Sequence, residues 1–327
     1  MEQTATVPTT PFITLNSGHN MPQIGLGTFK ADEGNLKDVV KAAILEHGYR
    51  HIDTAKIYGN EALIGEALQE CFAEGIKREE LFITTKLWPN EDKCEVEASC
   101  RAQLKSLQLE YIDLFLIHWM IPLSNWEDKE NPIKPLPTHK VWEEMEKLVD
   151  LGLVKSIGVS NCSAQMLYDI LSYARIKPAV NQIELHPYLM QKDLVRFSRD
   201  RLGVNVTAYA PLGASAFSGK NEAYNDINLL KEPIINEIAA KHSKSVGQVL
   251  LNWHVHHRGH IVIPKTSKIE RLRENLDCLD FKLTEEEYAQ IDALDCGVRF
   301  FDPVFWDNGV WQKFPYFDQN CTKLPKL

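Results

Sequence analysis

Polar side chains stand at the ends of several short apolar runs in this sequence. They are Asp53, Lys86, His118, the pair Ser160–Asn161, and Gln182 within its run. Carboxyl, amine and imidazole groups can hold or transfer a proton, and hydroxyl and amide groups can orient a ligand by hydrogen bonding. Taken singly, Asp53 could cap a turn, Lys86 could be solvated, and His118 could be a hydrogen-bonded core histidine. Their meeting at one edge of a fold would instead indicate an active site.

The elements that would carry these residues alternate between strands and helices. The strand candidates are QIGLGT, HIDTA, LFITTKL, DLFLIHW, SIGVSN, AVNQIEL, VTAYAPL and IVIPK. Between them lie stretches of helical period such as LKDVVKAAILEHG, NEALIGEALQECFAEG, VWEEMEKLVDLG and IINEIAAKHSKSVGQVLLNW. This alternation predicts an α/β fold, a (β/α)8 TIM barrel, in which every strand ends at the same face. The polar strand ends would therefore meet at the barrel mouth.

The remaining segments fit around such a barrel. FITLNSGHNM, with turn residues between apolar flanks, predicts an N-terminal hairpin over the barrel floor. Residues 119–140 and 213–231 follow strand ends, where barrels build their sites, and the aromatic tail after Cys296 predicts a C-terminal loop over the mouth. No linker with a shifted composition occurs, so we expect a single domain over residues 1–327.

Composition excludes several classes of partner. The formal charge of −9 argues against nucleic-acid binding and against binding to anionic membranes. Seven cysteines without a C-x-x-C pair, and an N-terminus without signal-peptide features, predict reduced thiols in a cytoplasmic protein. The histidines at 254, 256, 257 and 260 do not form an H-E-x-x-H pattern with a carboxylate, so we expect no metal and interpret them as a solvated helix end. No apolar heptad predicts assembly beyond a monomer or weak homodimer.

Seven motifs in order give the sequence a family resemblance. They are GHNMPQIGLGTF, GYRHIDTAKIYGNEALIGEAL, ITTKLW, DLFLIHW, GVSN, NQIELHPY and IPKTSKIERLREN. Over almost the whole chain they resemble the aldo-keto reductase family, in its aldose/xylose reductase-like branch. No G-x-G-x-x-G loop occurs. Its absence is consistent with this family, which binds a nicotinamide cofactor across the barrel mouth.

The resemblance implies a catalytic tetrad. It falls on Asp53, Tyr58, Lys86 and His118. When hydride reaches a carbonyl carbon, charge develops on the oxygen, and Tyr58 would neutralise it as the proton donor. A lysine cation about 4 Å away could lower the tyrosine pKa by roughly three units. Asp53 would hold Lys86 in place, and His118 would orient the carbonyl.

The resemblance also implies NADPH/NADP+ as the cofactor. Its expected binding residues are Thr28, Asp53, Ser160, Asn161, Gln182, Tyr209, Pro211, Leu212, Lys265, Thr266, Ser267, Arg271 and Asn275. The hydroxyl and amides of the Ser160–Gln182 group would fix the carboxamide, and Tyr209 would stack on the nicotinamide ring. Lys265 and Arg271 would bind the 2′-phosphate. Thr266 and Ser267 would add hydroxyls at a helix start, which favours anions.

Aromatic residues near the tetrad predict an apolar substrate pocket. The candidates are Phe29, Trp88, Trp119, Phe301 and Trp306. Such a pocket suits a small carbonyl substrate, an aldehyde or an open-chain aldose such as a xylose-like sugar or a sugar phosphate. The tail RFFDPVFWDN is similar to the RFNDPW pattern of yeast-type xylose reductases, although Phe301 replaces an asparagine thought to contact sugar hydroxyls there.

A second interpretation belongs to a different functional class. Some members of this family act as cofactor-sensing or structural proteins with weak catalysis, and a fold does not dictate a function. All four tetrad residues are present here, which favours an enzyme. Turnover with a simple aldehyde separates the two interpretations.

Overall fold

The computed structural model describes residues 10–88, 95–120, 137–213 and 227–301, together with Phe317. Within these ranges the strands are Phe12–Thr14 (β1), Asn20–Pro22 (β2), Leu26–Gly27 (β3), His51–Asp53 (β4), Phe82–Leu87 (β5), Ile112–Ile117 (β6), Val154–Ser160 (β7), Val180–Glu184 (β8), Asn205–Tyr209 (β9) and Ile261–Val262 (β10). The α-helices are Leu36–Leu45 (α1), Glu61–Ala73 (α2), Val96–Leu107 (α3), Thr138–Asp150 (α4), Ala164–Tyr173 (α5), Lys192–Arg196 (α6), Pro233–His242 (α7), Val246–Asn252 (α8), Glu270–Leu276 (α9) and Glu285–Asp292 (α10).

Strands β3 to β10 form the predicted barrel. Each pairs in parallel with its neighbour in chain order, from β3 through to β10. Parallel bridges between Ile24 and Val262 and between Gly27 and Lys265 join the first strand to the last and close the sheet. All eight predicted strands are confirmed, and the central ones are buried along their whole length, as expected when both faces are covered.

The hairpin of β1 and β2 covers the barrel floor, as the sequence predicted. Its strands pair antiparallel. Leu15 and Met21 pack in one apolar cluster with Phe82, Val180 and Ile261, which lie at the starts of their strands. The strand ends with polar side chains therefore lie at the opposite face of the barrel.

One predicted helical stretch is two helices. The sequence from residue 234 to 253 was predicted as one amphipathic element, but α7 ends at His242 and α8 begins at Val246. Ser243 between them is left-handed, with φ 52°. Ser245 then starts α8 with a capping box. The Ser245 hydroxyl accepts from the backbone N–H of Gln248, and the Gln248 side-chain oxygen accepts from the backbone N–H of Ser245. Local capping therefore overrides the continuous apolar period.

The prediction that the histidines near residue 257 lie at a solvated helix end is wrong for two of them. His254 and His260 are fully buried, and their Nδ1 atoms lie 3.0 Å apart. His254 Nε2 lies 3.2 Å from the carbonyl of Pro211, to which it donates. Among the described residues, no group of three possible ligands that could hold a metal ion is found. These histidines instead tie the end of α8 to the loop after β9.

Burial of His51 and His254 predicts that the protein loses stability in mild acid. Burial lowers the pKa of His51 to about 4 and the pKa of His254 to about 3. Below the unfolded pKa of about 6.5, the unfolded chain binds protons that the folded one excludes, so stability falls as pH falls. Each histidine contributes up to about 1.4 kcal/mol per pH unit. Urea unfolding between about pH 6.5 and pH 5 should show this slope. His51→Gln should reduce it, and replacing the exposed His19 by Gln should not.

The close packing around Gly158 in β7 leaves no room for a larger side chain. A Cβ atom there would lie 2.6 Å from the backbone oxygen of Val180 and 2.8 Å from Leu116 Cδ2. Because backbone cannot move aside cheaply, Gly158→Ala should lower the free energy of unfolding by about 1–3 kcal/mol. Gly247→Ala in α8 is the matched control, since its Cβ would meet only Ser245 Oγ at 3.7 Å and should add about 0.5–1 kcal/mol of stability. Equal effects of the two substitutions on urea unfolding would contradict this account.

Several predicted features fall wholly or partly outside the described residues. They include most of the loops at 119–140 and 213–231, most of the tail, and the predicted pocket residue Trp306. The described cysteines, 71, 100, 162, 278 and 296, are all free thiols. No helix in the described ranges is long and apolar enough to cross a membrane.

Candidate active site

The structure brings the four predicted tetrad residues together at the carboxyl ends of the strands. Asp53 ends β4, Lys86 lies next to the end of β5, His118 directly follows β6, and Tyr58 ends a 3₁₀ turn after β4. Lys86 Nζ donates to Asp53 Oδ1 at 2.6 Å and lies 5.1 Å from the centre of the Tyr58 ring. The rings of Tyr58 and His118 are 5.8 Å apart. An acid, a cation, a phenol and an imidazole thus share one small space.

Burial governs the protonation of this group. Burial, and then the charge of Asp53, raise the pKa of Tyr58 well above its ordinary value. The expected lowering by Lys86 is therefore wrong for this structure, because desolvation outweighs the ammonium that Asp53 already neutralises. Burial, and then Lys86, lower the pKa of His118 well below its usual range. Near neutral pH the phenol thus keeps its proton and the imidazole is uncharged, which suits a proton donor beside a neutral hydrogen-bonding group.

Two residues that the sequence analysis missed support the turn that carries Tyr58. Asn60 donates from Nδ2 to the backbone oxygen of Thr28 at 2.9 Å, and its Oδ1 accepts from the Thr54 hydroxyl at 2.8 Å. The backbone oxygen of Thr54 accepts from Lys86 Nζ at 2.8 Å. Gly59, left-handed at φ 71°, followed by an asparagine before a helix was the signal that could have revealed this support.

The predicted carboxamide-binding residues form one hydrogen-bonded network. Asn161 donates to the backbone oxygen of His118 at 3.0 Å and accepts from the Tyr209 hydroxyl at 2.8 Å. Ser160 donates to the backbone of Gln182, whose own amide donates to Asp53 Oδ2 at 2.8 Å. Asn161 is left-handed, with φ 60°, a conformation that asparagine tolerates better than most residues. The network therefore links the Lys86–Asp53 ion pair to the Tyr209 ring, which is expected to face the nicotinamide.

Two buried polar atoms at the mouth have no hydrogen-bond partner among the described residues. They are His118 Nδ1 and Trp88 Nε1, and the two rings meet edge-on at 5.2 Å. A buried polar group without a partner costs about 1–3 kcal/mol, so these atoms favour a polar ligand at this position. The observation fits a small polar ligand, such as a carbonyl compound, at the barrel mouth.

Aromatic side chains surround the same space. Phe29 contacts the Tyr58 ring at 4.9 Å, and Phe301 lies 6.2 Å from Phe29 and 5.3 Å from Tyr209, edge to face. Trp119 is buried and contacts Phe317 at 6.2 Å. Of the predicted pocket residues in the described ranges, Phe29, Trp88 and Phe301 lie around the tetrad.

The predicted phosphate-binding segment, IPKTSKIERLREN, lies beside β3, the first strand of the barrel. The bridge between Gly27 and Lys265 places it at the barrel closure, and Thr28 follows directly. Lys265 and Arg271 are exposed, whereas Asn275 is buried. Thr266 and Ser267 do not start a helix, because a turn around Lys268 intervenes and α9 begins only at Glu270. The helix-start argument is thus wrong, although the exposed cations remain suited to a phosphate group.

The loop after β9 contains the last predicted cofactor residues. Pro211 accepts from His254, and the turn of Ala210 to Gly213 places Leu212 among the partly buried residues that pack on the core. Ala210 is left-handed at φ 49°, so the chain turns sharply away from Tyr209. The predicted cofactor residues Pro211 and Leu212 therefore lie in the turn directly after Tyr209.

Comparisons with known proteins agree with this geometry. The profile of the Aldo/keto reductase family matches residues 23–296. The chain is similar to the NADP-dependent D-sorbitol-6-phosphate dehydrogenase of Malus domestica, 43% identical over 295 residues covering 86% of this chain and 93% of that one. It is 42% identical to the NAD(P)H-dependent D-xylose reductase I,II of Candida tropicalis over 321 residues, 93% of this chain and 98% of that one.

A solved structure gives the same result for the fold. The aldose reductase from Schistosoma japonicum superposes with a TM-score of 0.83 at 39% identity, covering 94% of this chain and 99% of that chain. The resemblance found in the sequence motifs is confirmed by the match to the family profile. The chain belongs to the aldo/keto reductase family.

Proposed function

We propose that the protein is an NADPH-dependent reductase that converts an aldehyde or an open-chain aldose to the alcohol, with Tyr58 as the proton donor. The observation that carries the proposal is the buried Lys86–Asp53 ion pair beside Tyr58 and His118. Burying a charged pair rarely adds stability, so its presence at the barrel mouth favours a role in chemistry. Relatives named for sorbitol 6-phosphate and xylose support a sugar or sugar phosphate as the substrate class.

The residues of the mouth would act on the substrate carbonyl in two ways. The neutral His118 imidazole would donate a hydrogen bond to the carbonyl oxygen and orient it, which places the reacting carbon. The phenol of Tyr58 would give its proton to that oxygen as charge develops there. Lys86 would stabilise the phenolate left behind, and Asp53 would keep Lys86 oriented through the 2.6 Å bond. The product alcohol would then leave, and Tyr58 would regain a proton from solvent.

The cofactor would supply hydride when bound. Tyr209, Ser160, Asn161 and Gln182 would hold its nicotinamide end, since their fixed network lies next to the tetrad. Lys265 and Arg271 would hold its phosphate end with exposed cationic groups, and the hydroxyls of Thr266 and Ser267 would add hydrogen bonds. Thr28, Pro211, Leu212 and Asn275 would complete the surface between the two ends.

The direct test is loss of NADPH absorbance with the purified protein. Glyceraldehyde, xylose, an aldose 6-phosphate and an aromatic aldehyde form the panel, with NADH run in parallel. Turnover with any of these carbonyl substrates supports the proposal and ranks the classes. Tight NADPH binding without turnover would contradict it and favour the cofactor-sensing interpretation.

The proposed contact of Arg271 with the 2′-phosphate predicts that the protein prefers NADPH over NADH. Arg271→Ala should raise the KM for NADPH far more than the KM for NADH, because a guanidinium pairs with a phosphate that NADH lacks. Arg273→Ala is the matched control, since this exposed arginine on the same helix is paired with Asp277 at 2.6 Å. Steady-state kinetics with both cofactors measure the two ratios. A similar rise for both cofactors in Arg271→Ala would argue against a phosphate contact.

A further inference from the structure

Glu184 is a fully buried acid outside the tetrad. It ends β8, two residues after Gln182, so both side chains stand on the same face of that strand. Gln182 reaches Asp53, whereas Glu184 reaches the start of the C-terminal tail. One strand therefore carries a contact to the catalytic ion pair and a contact to the tail. The tail contact is not explained by the proposed chemistry.

Both oxygens of Glu184 accept hydrogen bonds from the tail backbone. Oε1 accepts from the Phe300 N–H at 2.8 Å, and Oε2 accepts from the Phe301 N–H at 3.0 Å. His186 Nε2 lies 2.9 Å from Oε1 and is a third contact of the same side chain. The carboxylate thus holds two successive peptide groups in place.

Further bonds attach the same tail segment to the loop after β8. The backbone oxygen of Tyr188 accepts from the N–H groups of Cys296 and Val298, at 3.3 and 3.0 Å. Met190 donates its backbone N–H to Asp295 at 3.1 Å. These contacts hold the chain up to Val298, and Arg299 donates to Gln191 Oε1 at 3.2 Å. Glu184 then accepts from the next two backbone N–H groups, those of Phe300 and Phe301.

The Phe301 side chain, whose backbone Glu184 holds, faces the space around the tetrad. Glu184 pairs in register with Tyr209 on β9, and the Phe301 ring stands edge-on to Tyr209 at 5.3 Å. On its other side Phe301 lies 6.2 Å from Phe29, which contacts Tyr58. Phe301 therefore lies between Tyr209, which is expected to stack on the nicotinamide, and Phe29, which packs on Tyr58. A small displacement of its backbone would change the width of the pocket.

We propose that Glu184 is a specificity-determining positioning residue, which fixes the backbone of Phe300 and Phe301 and thereby sets the pocket wall formed by the Phe301 ring. The inference rests on the proposed reductase function for its kinetic consequences. Glu184 touches neither substrate nor cofactor in this role. It acts through Phe301, and the side chain it holds discriminates between narrow and wide carbonyl substrates.

Glu184→Gln is the informative substitution. Its amide keeps one acceptor oxygen but turns an N–H₂ group toward a backbone N–H, so at least one of the tail bonds is lost. We expect the ratio of kcat/KM for an aromatic aldehyde to that for glyceraldehyde to change by about tenfold, mainly through KM. Asp113→Asn is the matched control, because Asp113 is also buried and accepts from a backbone N–H, that of Ile83 at 2.9 Å, but near the start of β6. It should leave the ratio unchanged.

A double-mutant cycle with Phe301→Leu and hydrogen exchange complete the test. If Glu184 acts through Phe301, the change in ratio from Glu184→Gln should largely vanish in the Phe301→Leu protein. Exchange at the amides of Phe300 and Phe301 in the full chain should quicken in Glu184→Gln and not in Asp113→Asn. Unchanged exchange at these amides, an equal fall of kcat/KM for both aldehydes, or independent effects in the cycle would each overturn the inference. An unsubstituted protein without turnover would instead contradict the proposed function, and the exchange result would still decide whether Glu184 holds the tail.

Discussion

Replacing Tyr58 by phenylalanine should reduce turnover by about a hundred- to ten-thousand-fold while NADPH binding stays nearly the same. The phenol is the proposed acid, and removing a positioned acid costs a factor of this size. The ring contacts with Phe29 and His118 need no hydroxyl, so the pocket should keep its shape. Single-turnover reduction of glyceraldehyde, together with NADPH fluorescence titration, measures the two quantities separately.

The control for this substitution is another partly buried tyrosine. Tyr173 lies at the end of α5, and its hydroxyl bonds to Asp169 at 3.3 Å. Tyr173→Phe should leave both turnover and NADPH binding unchanged. If Tyr58→Phe retains ordinary turnover, Tyr58 is not the proton donor and the assignment is wrong.

The second large effect is expected at the ion pair. Asp53→Asn should lower the free energy of unfolding by about 3–5 kcal/mol and abolish most turnover, because it leaves the Lys86 ammonium buried without a counter-charge. Burial already lowers the pKa of Lys86 against the opposing effect of Asp53. Without Asp53 that lowering should increase. Urea unfolding and steady-state kinetics at neutral pH measure the two losses.

The pH dependence of this variant has a definite sign. A lysine whose pKa is lower in the folded state than in the unfolded state destabilises the protein while the unfolded chain is protonated, so stability should rise as pH rises. Asp53→Asn should therefore regain stability between about pH 7 and pH 10 relative to the unsubstituted protein. Asp53→Asn combined with Lys86→Met removes the buried charge and should recover most of the stability at neutral pH without recovering turnover. A double variant as unstable as Asp53→Asn would show that the loss does not come from the buried ammonium.

The central strands, and the meeting of Asp53, Lys86 and His118, were predictable because they depend on local patterns, whereas Tyr58 was expected only from the family resemblance. Continuous apolar runs such as the one that became β6 need no distant information, and strand ends in a parallel barrel meet by topology alone. Even so, β3 is only Leu26–Gly27 and β10 only Ile261–Val262, shorter than their apolar runs. They meet at the closure of the barrel, where pairing is limited to isolated bridges.

Features that depend on contacts between distant segments were not predictable. His254 looked solvated because its partners, His260 and the Pro211 carbonyl, come together only in the folded chain. Glu184 gave no signal at all, since its partner Phe300 is 116 residues away and contributes a backbone N–H that any residue type provides. The pKa of Tyr58 was misjudged for a related reason, because desolvation depends on packing from several elements.

The placement of Gln182 and Glu184 on one strand bears on how new activities can be evolved from this protein. Two residues of strand span about 6.6 Å, so a shift of β8 that widened the pocket would also pull on Asp53. Changes in the backbone of β8 should therefore lower the catalytic rate as well as change the selectivity. A combinatorial library aimed at new substrates should therefore leave residues 182–186 intact and vary the side chain at position 301. Glu184 bonds only to the backbone N–H of Phe301, so this bond does not depend on which side chain stands there. Most members of such a library should remain folded, and differences among them should report on substrate fit.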